Sequence, residues 1–134
     1  MDKTYHGSCH CGAIRYRAAL DLAAGTGKCY CTYCSKIRNW SARATDFELL
    51  DGEALLGDYG KDWGEGNIHH RFCSRCGINL YGHGFIAQAG GAFVSVQVNT
   101  LDDAGIDELV SGPVHYADGR NDNWMNPSAD TRAM

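Results

Sequence analysis

The sequence predicts a mostly β protein with short helical insertions. Seventeen glycines punctuate many short segments, whereas the chain has only two prolines. Between the glycines, apolar and polar side chains alternate, as expected of strands that bury one face. Long segments with helical periodicity are absent. We therefore expect one domain, residues 1–134, built from strands joined by tight turns.

Four segments carry the strand prediction in chain order. Residues 13–18, AIRYRA, alternate apolar and charged side chains. Residues 78–85, INLYGHGF, follow a cysteine turn and resemble the return arm of a hairpin. Residues 92–100, AFVSVQVNT, are the clearest strand, with three valines on one face. The pattern of residues 111–124 indicates the end of a helix, then a further strand and an Asp-Gly turn.

One short helix is predicted in residues 100–110, TLDDAGIDELV. Thr100 is the expected N-cap, because its hydroxyl can accept a hydrogen bond from a free backbone N–H. Asp102 and Asp103 would lie in the first turn, where negative charge is favourable. Gly105 weakens the helix, so we expect no more than one or two turns.

Charge and hydropathy exclude two classes of partner. The formal net charge is -4 and no basic cluster occurs, which argues against a nucleic-acid binder. The mean hydropathy is -0.35, and no apolar run approaches the ~20 residues of a membrane span. The first residues, MDKTYHGSCHC, lack the apolar core of a secretion signal, so we expect a cytoplasmic protein.

The seven cysteines are the most informative residues because they cluster. They form three short groups: Cys9 and Cys11; Cys29, Cys31 and Cys34; Cys73 and Cys76. Cytoplasmic thiols stay reduced, so clustered cysteines indicate metal ligation rather than disulfides.

The spacing favours a closed site and a three-thiol site. Cys73 and Cys76 form a Cys-x-x-Cys knuckle, whose trailing Gly77 can adopt the positive φ that closes the turn. Cys9 and Cys11 would face the same side of an extended strand. These four thiols suffice for tetrahedral zinc, which leaves the group from Cys29 to Cys34 with three.

Other partitions of the thiols stay open at this point. Cys31 and Cys34 could instead pair with Cys73 and Cys76, because spacing alone does not exclude it. A histidine could complete the three-thiol group, and the thiols could also be incidental buried residues. The histidine candidates are His6, His10, His69, His70, His83 and His115. The spacings do not match those of iron–sulfur proteins.

Four ordered motifs resemble the glutathione-dependent formaldehyde-activating enzyme family, of which centromere protein V is a relative. They are HGSCHCGAIRY, CYCTYC, RFCSRCG and VNTLDDAGI, and the resemblance runs from Tyr5 to Trp124. It implies a tent-like fold of stacked antiparallel sheets with zinc knuckles and two zinc ions per chain. The implied structural zinc ligands are Cys9, Cys11, Cys73 and Cys76, and the implied catalytic zinc ligands are Cys29, Cys31 and Cys34.

A zinc ion held by three thiolates has a net charge of about -1, so it should acidify water weakly and favour a soft external thiol. We therefore predict a carbon–sulfur lyase that joins a small thiol such as glutathione to an aldehyde such as formaldehyde. This activity is that of an S-(hydroxymethyl)glutathione synthase. The alternatives are a non-catalytic thiol carrier and a zinc-stabilised protein-binding module.

The segment after the three-thiol motif departs from the family. Many members continue with basic residues and a small Thr/Ser-Gly stretch, whereas this chain reads SKIRNWSARAT with Trp40. The departure concerns the substrate rather than the metal. Arg38, Lys61 and Arg71 are candidates for binding substrate carboxylates, and Tyr30 and Tyr33 are candidates for shielding the metal.

Overall fold

A computed structural model describes residues 1–134 and contains eleven strands and two short helices. The strands are β1 (Lys3–Ser8), β2 (Arg15–Leu20), β3 (Thr26–Cys29), β4 (Ser41–Ala44), β5 (Asp46–Asp51), β6 (Leu56–Trp63), β7 (Gly66–Cys73), β8 (Asn79–Ile86), β9 (Gly91–Gln97), β10 (Val114–Asp118) and β11 (Asn123–Pro127). The helices are α1 (Thr32–Ile37) and α2 (Ile106–Leu109). The mostly β class with short helical insertions is confirmed.

The smaller sheet has three antiparallel strands in the order β1-β2-β5. Its central strand, β2, shows the alternation predicted from the sequence: Tyr16, Ala18 and Leu20 are buried, whereas Arg15 is exposed. The predicted strand therefore has its expected face in the core, with its bounds shifted two residues toward the C-terminus.

The larger sheet has eight strands in the order β11-β10-β3-β4-β9-β8-β7-β6. All described neighbours are antiparallel except β3 and β10, which pair in parallel. Strands β6, β7 and β8 have eight residues each and form consecutive hairpins. The predicted return arm at residues 78–85 is β8, and it pairs with β7 as expected.

Side chains from both sheets form one core, which packs the sheets together. Ile14, Tyr16, Leu80, Val96 and Val98 have no solvent exposure. The buried hydroxyl of Tyr16 lies 2.6 Å from Thr100 Oγ1, so its polar end is paired as burial requires. No helix in the structure has the length and apolar character needed to cross a membrane.

The helix prediction for residues 100–110 was right in length and wrong in its start. Thr100 ends a short 3-10 turn, and α2 begins only after Gly105. The aspartates that were expected to favour the first turn instead bind β1. Ser8 Oγ donates to Asp102, and the backbone N–H of His6 donates to Asp103 at 2.9 Å. These tertiary hydrogen bonds keep residues 101–105 out of the helix.

Candidate metal centres

The two outer pairs of cysteines form one four-sulfur group. Cys9 and Cys11 follow β1, and Cys73 and Cys76 lie at the end of β7 and in the turn after it. All four sulfur atoms lie within 4.8 Å of one another. Three backbone N–H groups donate to two of these sulfurs: Ile14 to Cys9, and Arg75 and Cys76 to Cys73. Such bonds stabilise thiolates, so the group suits a closed tetrahedral metal.

The first pair of this group reaches the others by a turn rather than along a strand. β1 ends at Ser8, and the backbone N–H of Gly12 donates to Cys9 O at 3.1 Å. The prediction of an extended strand through Cys9 and Cys11 was therefore wrong. The turn at Gly77 has the predicted positive φ, 81°, and its N–H donates to Cys73 O at 2.8 Å.

The remaining three cysteines form a separate group at the junction of β3 and α1. Cys29 ends β3, Cys31 is the N-cap of α1, and Cys34 lies in that helix. Their sulfur atoms lie within 4.8 Å of one another, and all three residues are half-buried. Cys31 Sγ accepts a hydrogen bond from the N–H of Cys34 at 3.2 Å, and Cys29 Sγ accepts one from Cys31 at 3.4 Å.

The crowding of these three sulfurs fits a cation. The neighbouring thiols of Cys29 and Cys34 lower the pKa of Cys31 to about 2, whereas Cys29 and Cys31, together with burial, raise the pKa of Cys34. One thiolate is thus stabilised by two thiols that must keep their protons, because three adjacent negative charges repel. A divalent ion with a preference for sulfur removes this conflict, so the donor set fits zinc.

None of the histidines joins either group. His70 contacts the three-cysteine segment through its ring, which stacks on Tyr33 with centroids 3.9 Å apart. His69 instead lies between Asp58 and Asp62 on β6, and His115 lies against the backbone oxygen of Trp124. The three-sulfur group therefore has no fourth ligand atom from a histidine, aspartate or glutamate within that distance.

A cavity of about 160 Å³ opens beside Cys29 and Cys34. Lys28, Arg38 and Trp40 line it, and no aspartate or glutamate does. Arg38 was a predicted carboxylate ligand, whereas Lys28 was not singled out, although its position next to Cys29 was a usable signal. The other two predicted cations lie elsewhere, on β6 and β7; Arg71 donates to the backbone oxygen of Gly57.

Two tyrosines attach the three-cysteine segment to distant parts of the chain. Tyr33 OH accepts a hydrogen bond from Asn79 Nδ2 at 2.9 Å, which links α1 to β8. The guanidinium of Arg120 lies 4.2 Å from the centre of the Tyr30 ring, and its Nε donates to Tyr30 O. Both contacts restrict the backbone that carries the sulfurs. Sequence reasoning did not identify Asn79 or Arg120, because each is distant in the chain and lies outside the cysteine motifs.

Two stacked β-sheets with one four-sulfur and one three-sulfur group define a mostly β protein with two candidate thiolate metal centres. A family model described as glutathione-dependent formaldehyde-activating enzyme matches residues 4–115. The chain belongs to that family, as its motifs indicated.

A solved structure supports the same fold. This chain is similar to a Rhodobacter sphaeroides protein whose crystal structure comes from a structural genomics programme. The two chains are 26% identical in sequence, and their structures superpose with a TM-score of 0.63. The match covers 81% of this chain and 98% of the other.

Proposed function

We propose that this chain is a zinc-dependent carbon–sulfur lyase that joins a small thiol to an aldehyde, in the manner of an S-(hydroxymethyl)glutathione synthase. The observation that supports the proposal most is the three-sulfur group without a fourth protein ligand beside a cavity that carries two cationic side chains. Membership of the glutathione-dependent formaldehyde-activating family supports the same reaction class.

Cys29, Cys31 and Cys34 would hold the catalytic zinc, and Cys9, Cys11, Cys73 and Cys76 would hold a structural zinc, in one domain of residues 1–134. Bound zinc would supply a soft acidic position that favours the thiolate form of a substrate thiol. Both groups need reduced cysteines, so we also propose that the protein works in a reducing compartment such as the cytoplasm.

The side chains around the cavity perform the remaining tasks. Lys28 and Arg38 place positive charge where an acidic group of the substrate would lie. Tyr30 and Cys34 also line the cavity and would limit the entry of water to the metal. A fixed orientation of both reactants converts their encounter into an intramolecular step, which is the main contribution we assign to the protein scaffold.

The reaction balances without a redox cofactor. The thiol sulfur forms a bond to the carbonyl carbon, the π electron pair moves to oxygen, and the proton lost by the thiol ends on that oxygen. The reverse reaction breaks the same carbon–sulfur bond and returns the proton to sulfur. No electrons are transferred to or from the protein.

The rate of adduct formation tests this function directly. NMR with isotopically labelled formaldehyde and a thiol should show adduct formation and cleavage well above the spontaneous rate with the zinc protein. Cys34→Ser should abolish the acceleration, because it removes a ligand of the three-sulfur group, whereas Lys61→Gln on β6 should not. A thiol carrier would bind one equivalent of thiol without acceleration, and that result would refute the enzymatic proposal.

A further inference from the structure

We propose that Trp40 sets the substrate class of this site, which encloses a small anionic thiol and leaves the glutathione tripeptide mostly outside the cavity. The inference rests on the proposed function for its chemistry. Three observations support the specificity: the fixed position of Trp40, the size of the cavity, and two lining cations that form no ion pair with a side-chain carboxylate.

Trp40 is fixed by hydrogen bonds to β3 and to the end of β9, the two strands that flank β4. Its backbone N–H donates to Gln97 Oε1 at 3.1 Å, and its carbonyl accepts from Val98 at 2.9 Å. Its indole Nε1 donates to Thr26 Oγ1 at 2.8 Å, and Thr26 is buried. The ring cannot swing aside without leaving a buried hydroxyl and an indole N–H unpaired, which is costly. The wall formed by Trp40 is therefore rigid.

The cavity behind this wall is small. Its volume is about 160 Å³. Sites that enclose drug-sized ligands start at roughly 300 Å³. A thiol with a short chain and one charged group fits this space, with its sulfur directed at Cys29 and Cys34. A tripeptide would place most of its atoms on the open surface.

The charge of the cavity selects an anion. Lys28 and Arg38 form no ion pair with a side-chain carboxylate in a chain whose formal net charge is -4. Lys28 Nζ instead lies 5.5 Å from the centre of the Trp40 ring. Arg38 is the C-cap of α1 with a left-handed φ of 57°, and its guanidinium Nη1 donates to Ala133 O at 3.5 Å. Two cations without acidic partners at one cavity favour a ligand that carries a carboxylate.

Three small thiols of matched size test the charge preference, and glutathione tests the size limit. We would measure kcat/KM with formaldehyde, and binding by calorimetry, for mercaptopropionate, mercaptoethanol, cysteamine and glutathione on the zinc protein. Mercaptopropionate should exceed neutral mercaptoethanol by about tenfold in both measurements, since one charge-assisted contact has this size. It should also exceed glutathione, and cationic cysteamine should be the weakest.

Substitutions identify the side chains responsible. Lys28→Gln should remove most of the preference for mercaptopropionate over mercaptoethanol, whereas Lys61→Gln should leave it unchanged. Trp40→Ala should raise the value for glutathione relative to mercaptopropionate. Trp40→Leu keeps more of the apolar packing and should shift the ratio in the same direction if the alanine variant does not fold.

The two proposals fail in different ways. The size and charge selection would be overturned if glutathione bound more tightly and turned over faster than mercaptopropionate, and if this ratio stayed the same in both Trp40 variants. That result would leave the enzymatic function intact. Preferential binding of mercaptopropionate without any acceleration of adduct formation would instead refute the enzyme and support the selection at this cavity.

Discussion

At the scale of single residues, Cys31 combines a role that the sequence predicts with one that it does not reveal. Its sulfur belongs to the three-sulfur group, and it also accepts the N-cap hydrogen bond of α1 from Cys34. The N-cap position is normally serine, threonine, aspartate or asparagine, so a cysteine there gave no signal for the start of this helix. The cysteine clusters were predictable because cysteines are rare and their spacing is informative. The short helix α1, which positions Cys31 and Cys34, was not predictable.

The substitution Cys31→Ser separates these two roles. Serine keeps an N-cap acceptor, so the free energy of unfolding of the metal-free protein should change by less than about 1 kcal/mol. Zinc affinity at the three-sulfur group should fall at least about tenfold, because a hydroxyl is a poor zinc ligand. Competition with a chromophoric chelator measures the affinity, and urea unfolding measures the stability. Unchanged zinc affinity would show that Cys31 is not a ligand.

Gly119 gives a second prediction at this scale. A Cβ at this position would lie 2.7 Å from Cys29 Sγ and would also overlap the ring of Trp124. Gly119→Ala should therefore displace the Asp-Gly turn, cost about 1–3 kcal/mol, and weaken zinc binding at the three-sulfur group only. Gly64→Ala is the matched control, since nothing lies within 4 Å of its Cβ. Equal zinc affinities in the two variants would contradict the packing described here.

At the scale of elements, strands were easier to predict than helix boundaries. Alternation in β2 was visible because that strand buries one face, whereas β9 was visible from its alternating valines although it buries only Val96. The predicted start of α2 was wrong because hydrogen bonds from β1 to Asp102 and Asp103 determine where the helix begins. These residues are far from β1 in the chain, so no local pattern in the sequence indicated the contact. The parallel pairing of β3 with β10 was likewise unpredictable, since it joins segments about 88 positions apart with no local signal.

The contact between β1 and α2 depends on the charge of Glu108. Hydrogen bonds from Tyr5 and Lys3 lower the pKa of Glu108 from its usual 4.5. A carboxyl whose pKa is lower in the folded state adds stability above pH 4.5, and that contribution is lost as the pH falls below this value.

The variant Glu108→Gln tests this dependence. It should be less stable than the unchanged protein near pH 7, and the difference should shrink toward zero near pH 3. Urea midpoints at both pH values measure it, with Asp107→Asn as the control because it has no side-chain hydrogen bond in the structure. A difference that is equal at both pH values would show that the charge of Glu108 is not involved.

At the scale of the whole molecule, the four-sulfur group joins the two sheets. Cys9 and Cys11 follow β1 of the smaller sheet, whereas Cys73 ends β7 of the larger sheet and Cys76 lies in the turn after it. A metal at this group would therefore stabilise the stacking of the sheets and the core between them. The three-sulfur group lies on one short segment, so its metal is not needed to bring distant elements together.

Cadmium NMR can test whether the four-sulfur group is a closed metal centre and the three-sulfur group an open one. Protein loaded with cadmium should give two signals of equal intensity, one from each sulfur group. Titration with mercaptopropionate should shift only one signal, toward the position of a four-sulfur site, and Cys34→Ser should remove or move that same signal. If neither signal responds at saturating thiol, the three-sulfur group is not open to an external ligand, which contradicts the proposed open centre.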